Sequence, residues 1–127
     1  MGRWQAYRMI DAAEKGSVFF RFVISPDPKQ EDTKQDLRLR EVTEQTMSAL
    51  EDRMHKQVSW VAAVHADHAP HRHVHVLAVV AGRLNAQDFE SLRQAATAAS
   101  LTQRRQADQV LRAKEREREE AQWVPQY

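Results

Sequence analysis

The chain contains no cysteine, which excludes disulfides and thiolate metal sites and leaves nitrogen and oxygen as the only donors for a metal. Glycine is scarce, with three residues, and no glycine-rich phosphate loop is present. Charge of one sign is missing too. The 19 basic and 18 acidic residues leave a net charge of +1, so a nucleic-acid role would have to rest on a local basic face. No apolar run approaches the roughly 20 residues that span a bilayer, and no signal peptide is visible, so a cytoplasmic protein with no membrane partner is expected. No HExxH motif, no paired carboxylates suited to acid–base work and no obvious serine triad occur.

What remains is ordinary for one small globular domain: 127 residues, 42% hydrophobic and 29% charged, enough for a real core but not for two. The single domain, 1–127, divides into an N-terminal arm over 1–16, a sheet-and-helix core over 17–100, and a charged C-terminal helix and tail over 101–127.

The arm reads as a short helix or ordered segment whose larger members are Trp4, Tyr7, Met9 and Ile10. Tyr7 has two readings. It is a half-buried aromatic that packs the arm onto the body, or, with no cysteine and no serine triad available, the best candidate nucleophile. A tyrosine hydroxyl titrates near pH 10 and needs a neighbouring base or cation to attack at neutral pH. Val18 to Ser25 is rich in aromatic and β-branched residues, apolar on both faces, and predicts a central, largely buried strand covered by helices on at least one side. Pro26-Asp27-Pro28 ends it. Arg21 interrupts one face of this strand and is either a phosphate contact or a snorkelling or paired arginine. From Glu31 to His55 the spacing of Leu39, Val42, Thr46, Met47, Leu50 and Met54 predicts an amphipathic helix, with Asp32 or Thr33 as its cap. Asn85, followed three residues later by Asp88, predicts a capped helix to about Ser100, and a second, charge-dominated helix is expected from Thr102 to about Trp123.

The densest signal lies between two Val-rich runs, 58–65 and 73–80. There, His65-Ala-Asp-His-Ala-Pro-His-Arg-His-Val-His-Val76 carries five of the six histidines. The short connection favours an antiparallel pair. Residues two apart on a strand share a face, so His71, His73 and His75 project together, and His65 meets them from the neighbouring strand. Three imidazoles converging in this way make a divalent-metal site with open coordination positions. Asp67 and His68 read as turn residues.

The succession Phe20-Arg-Phe-Val-Ile-Ser-Pro-Asp-Pro28, an amphipathic helix, Ser59-Trp-Val-Ala-Ala-Val-His65 and Pro70-His-Arg-His-Val-His75 resembles the relaxases, the mobilisation nucleases of plasmids and conjugative elements. These belong to the HUH endonucleases, named for two histidines flanking a hydrophobic residue. The resemblance covers about residues 18–82. It implies an α+β fold, an antiparallel β-sheet with helices packed on it around a ferredoxin-like core. It also implies manganese or magnesium as cofactor, and single-stranded or hairpin DNA as partner, with accessory mobilisation proteins beside it. His73-Val74-His75 looks like the HUH motif and His65 like the third ligand; His71 is the alternative ligand, since Pro70-His-Arg-His73 also matches a common family form. Tyr7 would attack the scissile phosphate to give a 5′-phosphotyrosyl link, with Arg8, Arg21 and Arg72 as DNA contacts. Two other classes stand beside this one: a non-catalytic single-strand or hairpin DNA-binding module, and a small histidine–metal phosphodiesterase.

Overall fold

The structure, a computed structural model of the chain, describes residues 3–13, 16–66 and 71–123. The element order is α1 (Arg3–Ala12), β1 (Ser17–Ile24), α2 (Leu39–Met54), β2 (Ser59–His65), β3 (His73–Ala81) and α3 (Ala86–Gln122). The three strands form one antiparallel sheet in the order β1-β3-β2. This is the α+β architecture that the resemblance implies, but the Val18–Ser25 strand, expected to be central, lies at the edge, because β3 takes the middle place and pairs with both other strands.

One face of the sheet is sealed. Val74, Val76, Ala78 and Val80 alternate along β3 and are at most 3% exposed. They pack with Ile24, with Leu39, Val42, Met47 and Leu50 of α2, and with Leu92 and Ala99 of α3. Phe20, Phe22, Trp60 and Ala62 flank this core from the two outer strands. Burying an aliphatic side chain of this size stabilises by about 1.5–3 kcal/mol, so the helical layer, through its hold on β3, fixes which face of the sheet stays open. On that open face lie Phe19, Arg21 and Val23 of β1, His73, His75, Leu77 and Val79 of β3, and Ser59, Val61, Ala63 and His65 of β2.

The helix expected over 31–55 begins later. Asp27 lies between the two prolines, and its carbonyl oxygen accepts from the backbone N–H groups of both Glu31 and Asp32, at 2.9 Å each. The chain therefore turns over 27–36 before α2 starts at Leu39. Asp32 is not a helix cap. It is 3% exposed, and its carboxylate accepts from the Leu37 N–H at 3.1 Å and, on both oxygens, from the Arg72 guanidinium at 2.9 and 2.8 Å. The start of α2 is instead bridged to α3 by Gln103. Its side chain accepts from the Arg38 N–H and donates to the Arg38 carbonyl.

The Asn85–Asp88 capping box forms as predicted, at 2.8 and 2.9 Å. The helix it starts does not stop near Ser100. α3 runs unbroken for 37 residues, about 55 Å, because residues 100–103 include neither glycine nor proline to end it. Arg104, expected in a solvated face, is buried between Asp36 and Asp108. No helix of the described residues is long and apolar enough to cross a membrane.

Burial pushes the Asp32 carboxyl up, but Arg72 and the Leu37 N–H outweigh it and hold it below its ordinary value of 3.8. The stability this carboxylate contributes is thus present above about pH 4 and lost as the pH falls through its lower folded value. Asp32→Asn leaves a largely buried guanidinium without its counter-charge and is expected to cost about 3–5 kcal/mol at pH 7 in urea unfolding. The gap to the parent protein should narrow below about pH 4. The double change Asp32→Asn/Arg72→Met should recover part of the loss, because it removes both charges.

Candidate metal centre

The β2–β3 register places His65 directly across from His73 and Ala63 across from His75. With His73 and His75 two apart on the open face, the three imidazoles form a triangle. Ring centroids are 5.4 Å apart for His65 and His73, 4.3 Å for His65 and His75, and 5.0 Å for His73 and His75. Each ring offers one nitrogen such that the three all lie within 4.8 Å of one another. An ion bonded at about 2.1 Å to three imidazoles holds their nitrogens about 3.4 Å apart, a contraction that rotation of the side chains can supply. The donor set suits such an ion chemically. Imidazoles ligate only when neutral, and partial desolvation, followed by the charges of His65 and His73, holds the His75 imidazole below its ordinary value of 6.5. His65 and His75 are exposed and His73 half-buried, so the triangle is open to a substrate on its solvent side.

The two alternative spellings of the histidine motif differ in geometry. His71 lies before β3 begins, its ring 6.5 Å from that of His73, and it is not part of the three-nitrogen group. Asp67, His68 and Pro70 lie outside the described residues.

Tyr7 and Arg8 lie on α1, which packs against β2 and β3, the two strands that carry the histidines. Its half-buried residues Ala6 and Met9, with Ala13 just beyond its end, recur at helical spacing. Tyr7 itself is 50% exposed, and its ring meets Trp4 edge to face at 6.3 Å. Among the described residues no ring contact joins Tyr7 to the histidines. Arg8 lines a cleft of about 910 Å³ with Gln5 and Met9, with Arg40, Thr43 and Glu44 of α2, and with residues 59–64 of β2.

Of the three arginines expected to touch DNA, Arg21 stands on the histidine face, exposed, across from Leu77. Arg72 does not. Its guanidinium is turned to Asp32 and to the Leu37 carbonyl, on the helix-covered side. The alternation that brings His73 and His75 to one face sends Arg72, just ahead of them, to the other, and this was readable from the sequence. What sequence reasoning missed is the role that follows: the Asp32–Arg72 pair anchors the chain immediately before His73.

The geometry orders the effects of substitution on divalent-ion uptake. By calorimetric titration with manganese, His65→Ala, His73→Ala and His75→Ala should each weaken binding by at least about tenfold, the usual cost of disturbing a metal shell. His71→Ala should change it little; a loss there equal to that of His73→Ala would place the ion further towards the turn.

Comparison of the chain with protein-family models, with curated proteins and with solved structures gave no match, so the reading of this centre rests on its own geometry and chemistry.

Proposed function

We propose that the protein is a metal-dependent enzyme that nicks and rejoins single-stranded DNA by tyrosine transesterification, as in the mobilisation of plasmids or conjugative elements. The observation that carries this reading is the His65–His73–His75 triangle, displayed on the open face of an antiparallel sheet beside the helix that bears Tyr7.

In this reading the three histidines hold a manganese or magnesium ion. Bound there, the ion would polarise a non-bridging oxygen of the scissile phosphate. The rest is the work of the chain's own groups. Tyr7 is 50% exposed, and in this reading its hydroxyl meets a strand lying on the sheet. Its oxygen forms a bond to phosphorus as it gives up its proton, and the bond from phosphorus to the 3′ oxygen breaks. The leaving oxygen takes up a proton to become a free 3′-hydroxyl, and the 5′ end stays on the protein as a phosphotyrosine. Nothing is oxidised or reduced, and the reverse attack by the 3′-hydroxyl rejoins the strand. Arg8 and Arg21, exposed and without an ion pair among the described residues, are the cations that would hold neighbouring phosphates in this reading. Arg72 drops out of that role because Asp32 occupies it.

One observation favours a second reading. Tyr7 packs on Trp4 and, among the described residues, makes no ring contact with a histidine, which suits a phosphodiesterase that uses metal-bound water at the same centre.

The test is to incubate the protein with manganese and labelled single-stranded oligonucleotides and to look on a denaturing gel for protein-linked DNA. The proposal expects an adduct that is lost in Tyr7→Phe and in His73→Ala. Cleavage that survives Tyr7→Phe without an adduct supports the hydrolytic reading. Salt-sensitive binding with no cleavage at all supports a non-catalytic DNA-binding module.

A further inference from the structure

β1 is an edge strand. The sheet order β1-β3-β2 leaves its outer side unpaired, and among the described residues no hydrogen bond reaches the N–H and C=O groups on that side. Natural edges are usually blunted by lysine, proline or a bulge. This one is Ser-Val-Phe-Phe-Arg-Phe-Val-Ile, apolar on both faces, with Phe19 44% and Val23 51% exposed. In the split β-α-β-β-α-β arrangement a further strand follows the second helix; among the described residues there is none. A groove of about 450 Å³ lies beside β1 instead, floored by Phe22, Ile24, Phe89, Leu92 and Ala96. The Ser100 hydroxyl lines the same groove; its residue is 1% exposed, and it has no hydrogen-bond partner among the described residues.

We propose that the outer edge of β1 pairs antiparallel with β1 of a second copy of this chain, joining two three-stranded sheets into one of six strands.

The sequence of β1 selects both the partner and the register. Two copies related by a twofold axis perpendicular to the sheet keep their helices on one face, so paired residues must have the same parity. Pairing about Arg21 sets guanidinium against guanidinium, which like charges directly opposite each other disfavour. Pairing about Phe20 sets Arg21 of each copy across from Phe19 of the other, two cation–aromatic contacts on the open face. Arg21 has no partner among the described residues that it would have to leave. In the same register Val18 of the second copy lies beside Phe22, at the near end of the groove, and Phe20 lies beside Phe20. Both histidine triangles then face the same way, roughly 25–35 Å apart by strand spacing and rise.

The test is sedimentation of the whole chain over a range of concentrations, and it does not depend on any enzymatic activity. A closed, concentration-dependent dimer is expected. Phe19→Lys, at an exposed position, should weaken association at least tenfold without changing the circular dichroism, and Phe19→Lys/Arg21→Glu should restore it by putting opposite charges across the interface. Register is read by cross-linking. Ser17 lies across from Val23 of the second copy, within the Cα range that a disulfide bridges. Mixing Ser17→Cys with Val23→Cys, in a chain with no other cysteine, should give a covalent dimer that neither variant gives alone. A monomer at all concentrations, open-ended aggregates, a folded Phe19→Lys variant that associates as before, or no mixed cross-link would each overturn the proposal.

Discussion

The pairing of His65 with His73 across β2 and β3 is the constraint from which the candidate site follows. A strand alone brings only His73 and His75 together; the third imidazole arrives because the neighbouring strand runs antiparallel in this register. A slip of one residue would turn His65 to the helix-covered face. The slip is opposed by the alternate residues of the same strands. Trp60 and Ala62 of β2 pack against the core built on Val74, Val76, Ala78 and Val80 of β3, and turning them to the open face would lose that burial. Packing energy on one side of the sheet thus specifies the geometry of a polar cluster on the other, and the histidines need contribute nothing to stability to be held in place.

The same division of labour recurs around the site. Arg72, sandwiched between two histidines in sequence, has no part in the open face. Its bidentate pair with Asp32 and its bond to the Leu37 carbonyl pin the residue before β3 to the loop ahead of α2. Gln103 then ties the first residue outside α2 to α3. The buried polar contacts lie on the helical side, where they fix the layers, while the open face keeps exposed groups, His65, His75 and Arg21 among them. That leaves the sheet's outer face as the surface on which a ligand can be met.

Much of this was legible in the sequence because it depends on local periodicity. The three strands, the antiparallel hairpin, the convergence of His65, His73 and His75 and the Asn85–Asp88 cap all follow from alternation, turn length and capping chemistry. The features that were not legible depend on contacts distant in sequence. Asp32 looks like a helix cap until Arg72, forty residues away, is seen to take its carboxylate. Arg104 looks like one charge in a solvated run until Asp36 meets it. The break expected near residue 101 had no glycine or proline behind it, and helix propensity carried α3 straight through. The start of β3 at His73 agrees with the strand read from the sequence, and it leaves His71 ahead of the strand and outside the three-nitrogen group.

The central claim is that the three histidines on paired strands form a metal centre, and the most direct measurement is anomalous diffraction from crystals grown with manganese. A single strong peak within about 2 Å of nitrogens from His65, His73 and His75 is the predicted result. A map with no peak in that triangle, or with its only peak bound by His71 and residues of the turn, would contradict it.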